Sequence, residues 1–296
     1  MALSGFRLGV DFGTTHTVAF LGWPDGRLQP LLFASSPLLP SAVYADPGGQ
    51  VLTGQDAVRS ARLDPTRYEP NVKRRIDDGS ILLGAETYQV VDLIAAILRR
   101  IYIEAVRVAG APAAQTVLTC PAGWGATRRG VLLEAANRAE LTNVSLIPEP
   151  FAAAAYFSRA VRQPVAPGQA LVVYDFGAGT FDVSVIERQA DGGWRVIANE
   201  GLDDVGGLDL DDAIVEQVRR RLAPTDPARW QQLVDTSTVE GRRGAGCCAT
   251  RPARPRSSCP GPARRPSTSR CSRRTRTSPG RSSTRWPGRG WNAPSR

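Results

Sequence analysis

The chain has 296 residues, and its 42% hydrophobic content is typical of a globular protein with a packed core. The net charge of +9 is concentrated at one end, because residues 241–296 contain fifteen arginines and no acidic residue, so residues 1–240 are net acidic. Four of the five cysteines lie in the same basic region, which excludes a disulfide framework elsewhere and favours a cytoplasmic location. No run approaches eighteen apolar residues and the N-terminus lacks a basic segment followed by a long apolar run, so we expect no membrane span and no signal peptide.

The first half of the chain alternates short strands with helices. Apolar or alternating runs predict strands in the segments FRLGVDF, TVAFLG, LQPLLF, SAVYAD and QVLTG. Apolar residues at helical spacing predict an amphipathic helix over residues 92–109, and further helices are expected over 126–140 and 151–162. A short strand precedes each of the two later helices, in the segments QTVLTCP and VSLIPEP, which gives a mixed α/β pattern.

The pattern of the N-terminus begins again in the second half. Strands are predicted over 170–176, 181–187 and 194–199, followed by a helix over 208–222. The turn after the first strand reads DFGTT at residues 11–15, and the turn after the later strand reads DFGAGT at residues 175–180. Two halves that open on the same strand-turn-strand unit indicate an internal repeat, and therefore an α/β fold with a mixed sheet in each half.

The repeated turn has the residue types of a phosphate-binding loop. Glycine lets backbone N–H groups point at a ligand, and threonine hydroxyls add donors. Asp11 and Asp175, at the ends of the incoming strands, could hold Mg²⁺ through water beside the phosphates. The alternative is two ordinary hairpins in an unrelated sheet. The turn is not a Walker A loop, because no G-x-x-x-x-G-K-[ST] occurs in the chain. It is not a Rossmann fingerprint, because its glycines precede a strand and not a helix.

Taken together, these motifs resemble the seventy-kilodalton heat-shock (DnaK-type) chaperones, and more distantly actin and the sugar kinases. The resemblance covers about residues 6–235 and lies in GVDFGTTHTVAF, LTCPAGW, LIPEPFAAAAYF, VVYDFGAGTFDVSVIE and DDVGGLDLDDAIVEQV, which occur in the family's order and spacing. It implies an actin-like (ribonuclease H-like) ATPase fold with two lobes around a nucleotide cleft. We expect a complete first lobe over residues 1–165 and a partial second lobe over 166–236.

The resemblance also implies a site for ATP or ADP with Mg²⁺. Its phosphate- and nucleotide-binding residues would be Gly13, Thr14, Thr15, Gly177, Ala178, Gly179, Thr180, Gly206 and Gly207. The residues near the metal would be Asp11, Asp175 and Asp182, and the catalytic residues would be Lys73, Glu149, Asp175 and Asp182. The resemblance does not identify which carboxylate acts as the base.

Two of these residues could also be present for reasons unrelated to catalysis. Lys73 is the only lysine among 37 basic residues, and its compact ammonium suits a γ-phosphate, but a single lysine in an arginine-rich chain could also be retained by chance. Glu149 stands at the start of an alanine-rich helix, where an acid in the first turn is favoured in any protein.

The sequence departs from the family beyond residue 235. The family's helix that contacts adenine and ribose, and its third glycine motif, are not recognisable there, which could weaken nucleotide affinity by about 10²–10³. We therefore expect the ATPase part of a heat-shock-type chaperone with weakened or no activity. In an intact homologue the partners would be unfolded polypeptides and co-chaperones. The alternatives are another actin-like phosphotransferase, such as a sugar kinase, and a non-enzymatic module with a nucleic-acid-binding arm.

The basic C-terminal region is predicted to be a disordered tail over residues 237–296. From residue 241 onward it has no Ile, Leu, Val, Met, Phe or Tyr, so it cannot bury enough apolar surface to form a core. One interpretation is a coding sequence read out of frame. The other is a selected basic arm that contacts nucleic acid through its phosphates, and nonspecific contact would follow from the charge in either case.

Overall fold

The fold is seen in a computed structural model that describes residues 5–160, 164–203 and 205–234. The described residues all belong to one compact unit. The predicted tail, with its two interpretations, lies outside the described residues. So does the end of the predicted helix 151–162.

The described residues form a mixed α/β structure. The strands are β1 (Arg7–Phe12), β2 (His16–Gly22), β3 (Leu28–Pro30), β4 (Leu39–Pro40), β5 (Val43–Ala45), β6 (Val51–Thr53), β7 (Tyr68–Glu69), β8 (Ser80–Leu83), β9 (Glu86–Gln89), β10 (Gln115–Cys120), β11 (Val144–Pro148), β12 (Ala170–Phe176), β13 (Phe181–Arg188) and β14 (Trp194–Leu202). The α-helices are α1 (Gln55–Ser60), α2 (Val90–Ala109), α3 (Ala126–Arg138), α4 (Glu149–Ala160), α5 (Gly207–Leu222) and α6 (Pro227–Val234).

The larger sheet lies in the N-terminal part of the chain. Its strands run in the order β11-β10-β1-β2-β3, and β4 also pairs with β2. β1 is antiparallel to β2 but parallel to β10, with Val10 opposite Leu118. β10 is in turn parallel to β11, and the chain returns between these two strands through α3, as parallel pairing requires a crossover. The carboxyl ends of β1, β10 and β11 therefore meet at one edge of the sheet.

One hydrophobic core fastens this sheet to the helices. Alternate residues of β1 are buried, as expected for a strand with one face on the core. α2 buries Leu93, Ile94, Ile97, Leu98 and Ile101, which lie on one face because they recur every three or four residues. Gly110, with φ of 76°, ends the helix in the left-handed conformation that glycine adopts most easily.

A second, smaller sheet lies in the C-terminal part of the described chain. It is an antiparallel meander in the order β12-β13-β14, followed by α5 and α6. Ser184 and Ile186 of β13 are buried, whereas Val172 and Tyr174 of β12 are each 69% exposed. One face of α5 is also apolar and exposed, at Leu210, Ile214, Val218 and Leu222.

Most predicted elements agree with the structure within a few residues. The predicted helices 92–109, 126–140 and 208–222 correspond to α2, α3 and α5. Helix α1 and the hairpin β8–β9 were not predicted. The polar stretch between α1 and that hairpin contains two 3-10 helices, Pro65–Arg67 and Val72–Arg75. Within the described part of the chain, no helix combines the length and apolar character that crossing a membrane would need.

Candidate functional site

The first repeated turn is held by side chains from neighbouring segments. Asp11 lies near the end of β1, and the Thr119 hydroxyl of the adjacent β10 donates to Asp11 Oδ1 at 2.6 Å. The buried Ser41 donates from Oγ to the carbonyl oxygen of Gly13 at 2.8 Å and from its backbone N–H to the carbonyl oxygen of Thr15 at 2.8 Å. Contacts within the protein therefore fix the turn on both sides.

Glycine is required in this turn by a close approach of the backbone. A Cβ atom on Gly13 would collide with the carbonyl oxygen of His16. Only a residue without a side chain allows so tight a connection between β1 and β2. The Thr15 hydroxyl lies 3.2 Å from His16 Nδ1, so the histidine supports the turn from its exposed side.

The second repeated turn joins β12 to β13 in the same way. The backbone N–H of Gly177 donates to the carbonyl oxygen of Thr180 at 3.0 Å and closes the turn. Asp175 and Asp182 stand directly opposite each other in the ladder. Cross-strand partners project from the same face of a sheet, so the two carboxylates are neighbours beside the turn.

The start of α5 packs against the second turn. The backbone N–H of Gly207 donates to the carbonyl oxygen of Gly177 at 2.9 Å. A Cβ atom on Gly206 would lie 2.6 Å from backbone atoms of Ala178 and Gly179. Gly206 is therefore needed for close packing, and Asp209 caps the helix by accepting from the Gly206 N–H at 2.8 Å.

The two repeated turns meet. A Cβ atom on Gly179 would lie 2.7 Å from the side chain of Thr14 and 2.9 Å from Nε of Arg74. The structure therefore brings the tips of the two predicted phosphate turns together, with a guanidinium beside them. Arg74 was not among the predicted site residues, and its one signal in the sequence is its position next to Lys73.

Lys73 and Glu149 form an ion pair near these turns. Lys73 Nζ donates to Glu149 Oε1 at 2.9 Å, and the two side chains are only 10% and 15% exposed. Lys73 Nζ also lies 5.5 Å from the ring centroid of the buried Trp124, within the range of a cation–π interaction. Burial raises the pKa of Glu149, Lys73 acts against this shift, and the charges of Asp11 and Asp175 add to it.

The acidic residues repel one another through this part of the structure. Burial raises the pKa of Asp175, the charge of Asp11 raises it further, and Lys73 opposes both. Burial also raises the pKa of Asp182, to which the charge of Asp175 adds, whereas a hydrogen bond from Thr180 and the charge of Lys73 lower it. One lysine therefore faces a group of carboxylates that would be stabilised by additional positive charge.

The carboxylates suit Mg²⁺ bound through water. Among the residues that the structure describes, no three His, Cys, Asp or Glu side chains lie close enough to bind a metal ion together. Mg²⁺, however, keeps several waters and uses one or two carboxylates with phosphate oxygens from the substrate. The carboxylates of Asp11, Asp175 and Asp182 fit that manner of binding, because Asp11 repels Asp175 and Asp175 repels Asp182.

Every predicted site residue lies in one of the two turns, at the end of a strand beside them, at the start of α5, or in the Lys73–Glu149 ion pair. The structure adds four residues that sequence reasoning missed, namely Ser41, Arg74, Thr119 and Trp124. Thr119 and Trp124 belong to the LTCPAGW segment, so the resemblance pointed to their neighbourhood without giving them a role. Ser41 had no signal, because its contact depends on how β4 packs on β2.

Comparison with known proteins supports the family resemblance that the sequence motifs indicated. A family model described as Hsp70 protein matches residues 72–227. The chain is 33% identical to the chaperone protein DnaK of Thermotoga neapolitana over 213 residues, which are 71% of this chain and 35% of that protein. It is 31% identical to the DnaK of Thermosipho melanesiensis, with the same coverage, and 30% identical to that of Elusimicrobium minutum over 71% of this chain and 34% of that protein.

The chain thus spans about a third of the length of the curated relatives that it matches. The predicted α/β fold class is confirmed, since the Hsp70 ATPase domain is actin-like and the described elements combine sheets with helices. The mixed sheet predicted for the second half is not found among the described residues, where β12-β13-β14 is antiparallel throughout. The sequence resemblance is confirmed with it. The chain belongs to the Hsp70 protein family.

Proposed function

We propose that this chain binds Mg-ATP and hydrolyses it, as the ATPase part of a heat-shock-type chaperone. The observation that supports this most directly is the meeting of the two glycine-threonine turns at Thr14 and Gly179. Two turns of this kind, each following an aspartate-bearing strand, can surround a polyphosphate with backbone N–H groups and hydroxyls. The relatives are named as chaperones, which is consistent with this assignment.

In this proposal the turns bind the phosphates. The first turn contributes Gly13, Thr14 and Thr15, and the second contributes residues 177–180. Gly206 and Gly207 place the N-terminus of α5 against the second turn, where the backbone N–H groups of Gly207 and Leu208 donate to the carbonyl oxygens of Gly177 and Ala178 and hold the turn in place. Lys73 supplies a full positive charge to the terminal phosphate.

Hydrolysis requires a water molecule to add to the γ-phosphorus. The bond between the γ-phosphorus and the β,γ-bridging oxygen breaks as the water adds, which gives ADP and phosphate. Glu149, Asp175 and Asp182 are the candidates to orient this water and accept its proton, because burial raises the pKa of each toward the working range of a base. Bound Mg²⁺ would neutralise charge on the phosphate oxygens, and Asp11, Asp175 and Asp182 would hold it through water.

The residues assigned to the proposed site contact the phosphates and Mg²⁺, and none is assigned to adenosine. The family's helix that contacts adenine and ribose and its third glycine motif are not recognisable in the sequence beyond residue 235, so we expect weakened affinity for ATP and slow turnover. The proposal includes two lobes, with the predicted bounds 1–165 and 166–236. It also includes a cytoplasmic location, and unfolded polypeptides and co-chaperones as partners. The family match favours this function over a sugar kinase.

Binding and turnover on the full chain test the proposal. We expect Mg-dependent binding of ATP by calorimetry, and slow release of phosphate that is lost in Lys73→Met. Arg75→Gln is the matched control, because Arg75 pairs with Glu69 and Asp78 and takes no part in the proposed site. Absence of binding at millimolar Mg-ATP would overturn the proposal, and turnover that depends on an added sugar would favour a sugar kinase.

A further inference from the structure

Arg74 is a buried guanidinium that connects distant parts of the chain. Its side chain is 8% exposed. Nη2 donates to the carbonyl oxygen of Gly179 at 2.7 Å and to Asp209 Oδ2 at 2.6 Å. These partners are 105 and 135 positions away in the sequence, so the contacts join the 3-10 helix Val72–Arg75 to both the second turn and the start of α5.

The position of Arg74 also involves the first turn. Nε of Arg74 and the side chain of Thr14 both lie within 3 Å of the place that a Cβ atom on Gly179 would occupy. The guanidinium therefore lies where the two turns come together. Its Nε and Nη1 have no hydrogen-bond partner among the described residues, although both atoms are buried. Buried donors of this kind are costly unless they are satisfied, so an anion held between the turns would be stabilised by them.

We propose that Arg74 is a positioning residue that sets the spacing of the two phosphate turns and fixes the start of α5 against them. A planar guanidinium can serve this role because a single Nη2 reaches a carbonyl and a carboxylate while the remaining donors stay in the same plane. Asp209 takes part in two contacts at once, because the same Oδ2 that accepts from Arg74 also accepts from the Gly206 N–H. The glycine pair and the second turn are thereby held by one arginine from outside the second sheet.

The spacing role rests on contacts in the protein alone, whereas its effect on a bound polyphosphate rests on the proposed function. The experiment therefore has one arm without ligand and one arm with ligand. Arg75→Gln is again the matched control, since it removes the neighbouring charge from the same 3-10 helix and breaks contacts only with Glu69 and Asp78.

The ligand-free arm is hydrogen exchange measured on the full chain. In Arg74→Gln, peptides that contain residues 176–180 and 206–209 should exchange about tenfold faster than in the parent, the factor expected from loss of one charge-assisted hydrogen bond. The same peptides should be unchanged in Arg75→Gln. Equal exchange in the parent and in Arg74→Gln would overturn the proposal.

A second variant keeps the test decisive if Arg74→Gln does not fold. Asp209→Asn removes the charge that pairs with Arg74 but keeps an oxygen that can accept from the Gly206 N–H. It should by itself accelerate exchange in the same peptides, and unchanged exchange in Asp209→Asn would overturn the proposal. Where Arg74→Gln folds, combining it with Asp209→Asn should produce little further change. Fully additive effects of the two substitutions would contradict a shared contact.

The ligand arm uses Mg-tripolyphosphate, which presents phosphates without adenosine. Mg-tripolyphosphate should slow hydrogen exchange of residues 176–180 in the parent and in Arg75→Gln. In Arg74→Gln, the concentration of Mg-tripolyphosphate needed for the same protection should be about tenfold higher. Protection in the parent with unchanged affinity in Arg74→Gln would contradict the role of Arg74 in phosphate binding. Failure of Mg-tripolyphosphate and Mg-ATP to protect the parent would count against the proposed function, while the ligand-free comparison still decides the spacing role.

Discussion

Lys73 Nζ lies 2.9 Å from Glu149 Oε1, although the two residues are 76 positions apart in the sequence. The pair joins the 3-10 helix Val72–Arg75 to the first residue of α4 and is largely shielded from solvent. A buried charge that loses its partner is much more costly than the pair itself is stabilising. The sole lysine of the chain is therefore important for the fold as well as for the proposed chemistry.

Removal of the lysine should destabilise the protein through its partner. Lys73→Met is expected to lower the free energy of unfolding by about 3 kcal/mol, because Glu149 is left buried without a cation. The double substitution Lys73→Met with Glu149→Leu should recover part of that loss, since no charge then remains to be desolvated. Urea denaturation measures both values, and a double variant no more stable than Lys73→Met would contradict this account.

The burial of the Asp175 carboxylate, together with its repulsion from Asp11, predicts a variant that is more stable than the parent. The pKa of Asp175 is raised in the folded state above its ordinary value of 3.8, so the folded protein binds the proton more tightly than the unfolded chain does. Stability contributed by this group is therefore lost as the pH rises through the raised pKa. Asp175→Asn should raise the melting temperature at neutral pH while weakening Mg-dependent ATP binding. The gain in melting temperature should shrink as the pH falls toward 3.8.

The two glycines at the start of α5 should differ in how well they tolerate a side chain. Gly206→Ala should lower the free energy of unfolding by about 2 kcal/mol, because its Cβ atom would meet backbone atoms that cannot move aside. Gly207→Ala should change it by less than about 0.5 kcal/mol, because the nearest atom to its Cβ is the Ala178 Cα at 3.7 Å. Thermal unfolding of the two variants is the measurement, and equal losses would refute the packing argument.

The strand β10 carries two buried threonines whose hydroxyls differ in their partners. Thr119→Val removes the donor to Asp11 and should cost about 1 kcal/mol of unfolding free energy, with weaker Mg-dependent ATP binding. Thr116→Val should be neutral or stabilising, because Thr116 Oγ1 has no hydrogen-bond partner among the described residues. Denaturation and calorimetry on both variants test this, and an unchanged free energy of unfolding in Thr119→Val would show the contact to Asp11 to be unimportant.

The sequence was informative where structure is determined locally. Both strand-turn-strand units were predicted, because alternating or apolar runs on either side of a glycine turn specify a hairpin within about twenty residues. Helix α2 was predicted because its apolar residues recur at helical spacing over many turns. The resemblance then suggested which residues of the two turns would lie together, and Thr14 and Gly179 do so.

Other features depend on contacts that no local pattern contains. The contacts of Arg74 with Gly179 and Asp209 exist only once the second turn and α5 have packed near the 3-10 helix. Helix α1 has six residues, too few to show helical periodicity. The hairpin β8–β9 was hidden because its second strand, ETYQ, is mainly polar, and its turn depends on Gly84 at φ 66°. The lobe bounds and the nature of the tail stay predictions.

The parallel pairing of β1 with β10 has a consequence for the order of folding during synthesis. β1 and β2 form a local hairpin, but the other edge of β1 has no partner until residues 115–120 have been made. A nascent chain shorter than this exposes an unpaired apolar strand, and closing so long a loop is slow. The meander β12-β13-β14, in contrast, pairs only sequence neighbours. We therefore expect ribosome-bound chains to become protease-resistant in two steps, the first when β10 and β11 emerge and the second when β14 and α5 follow.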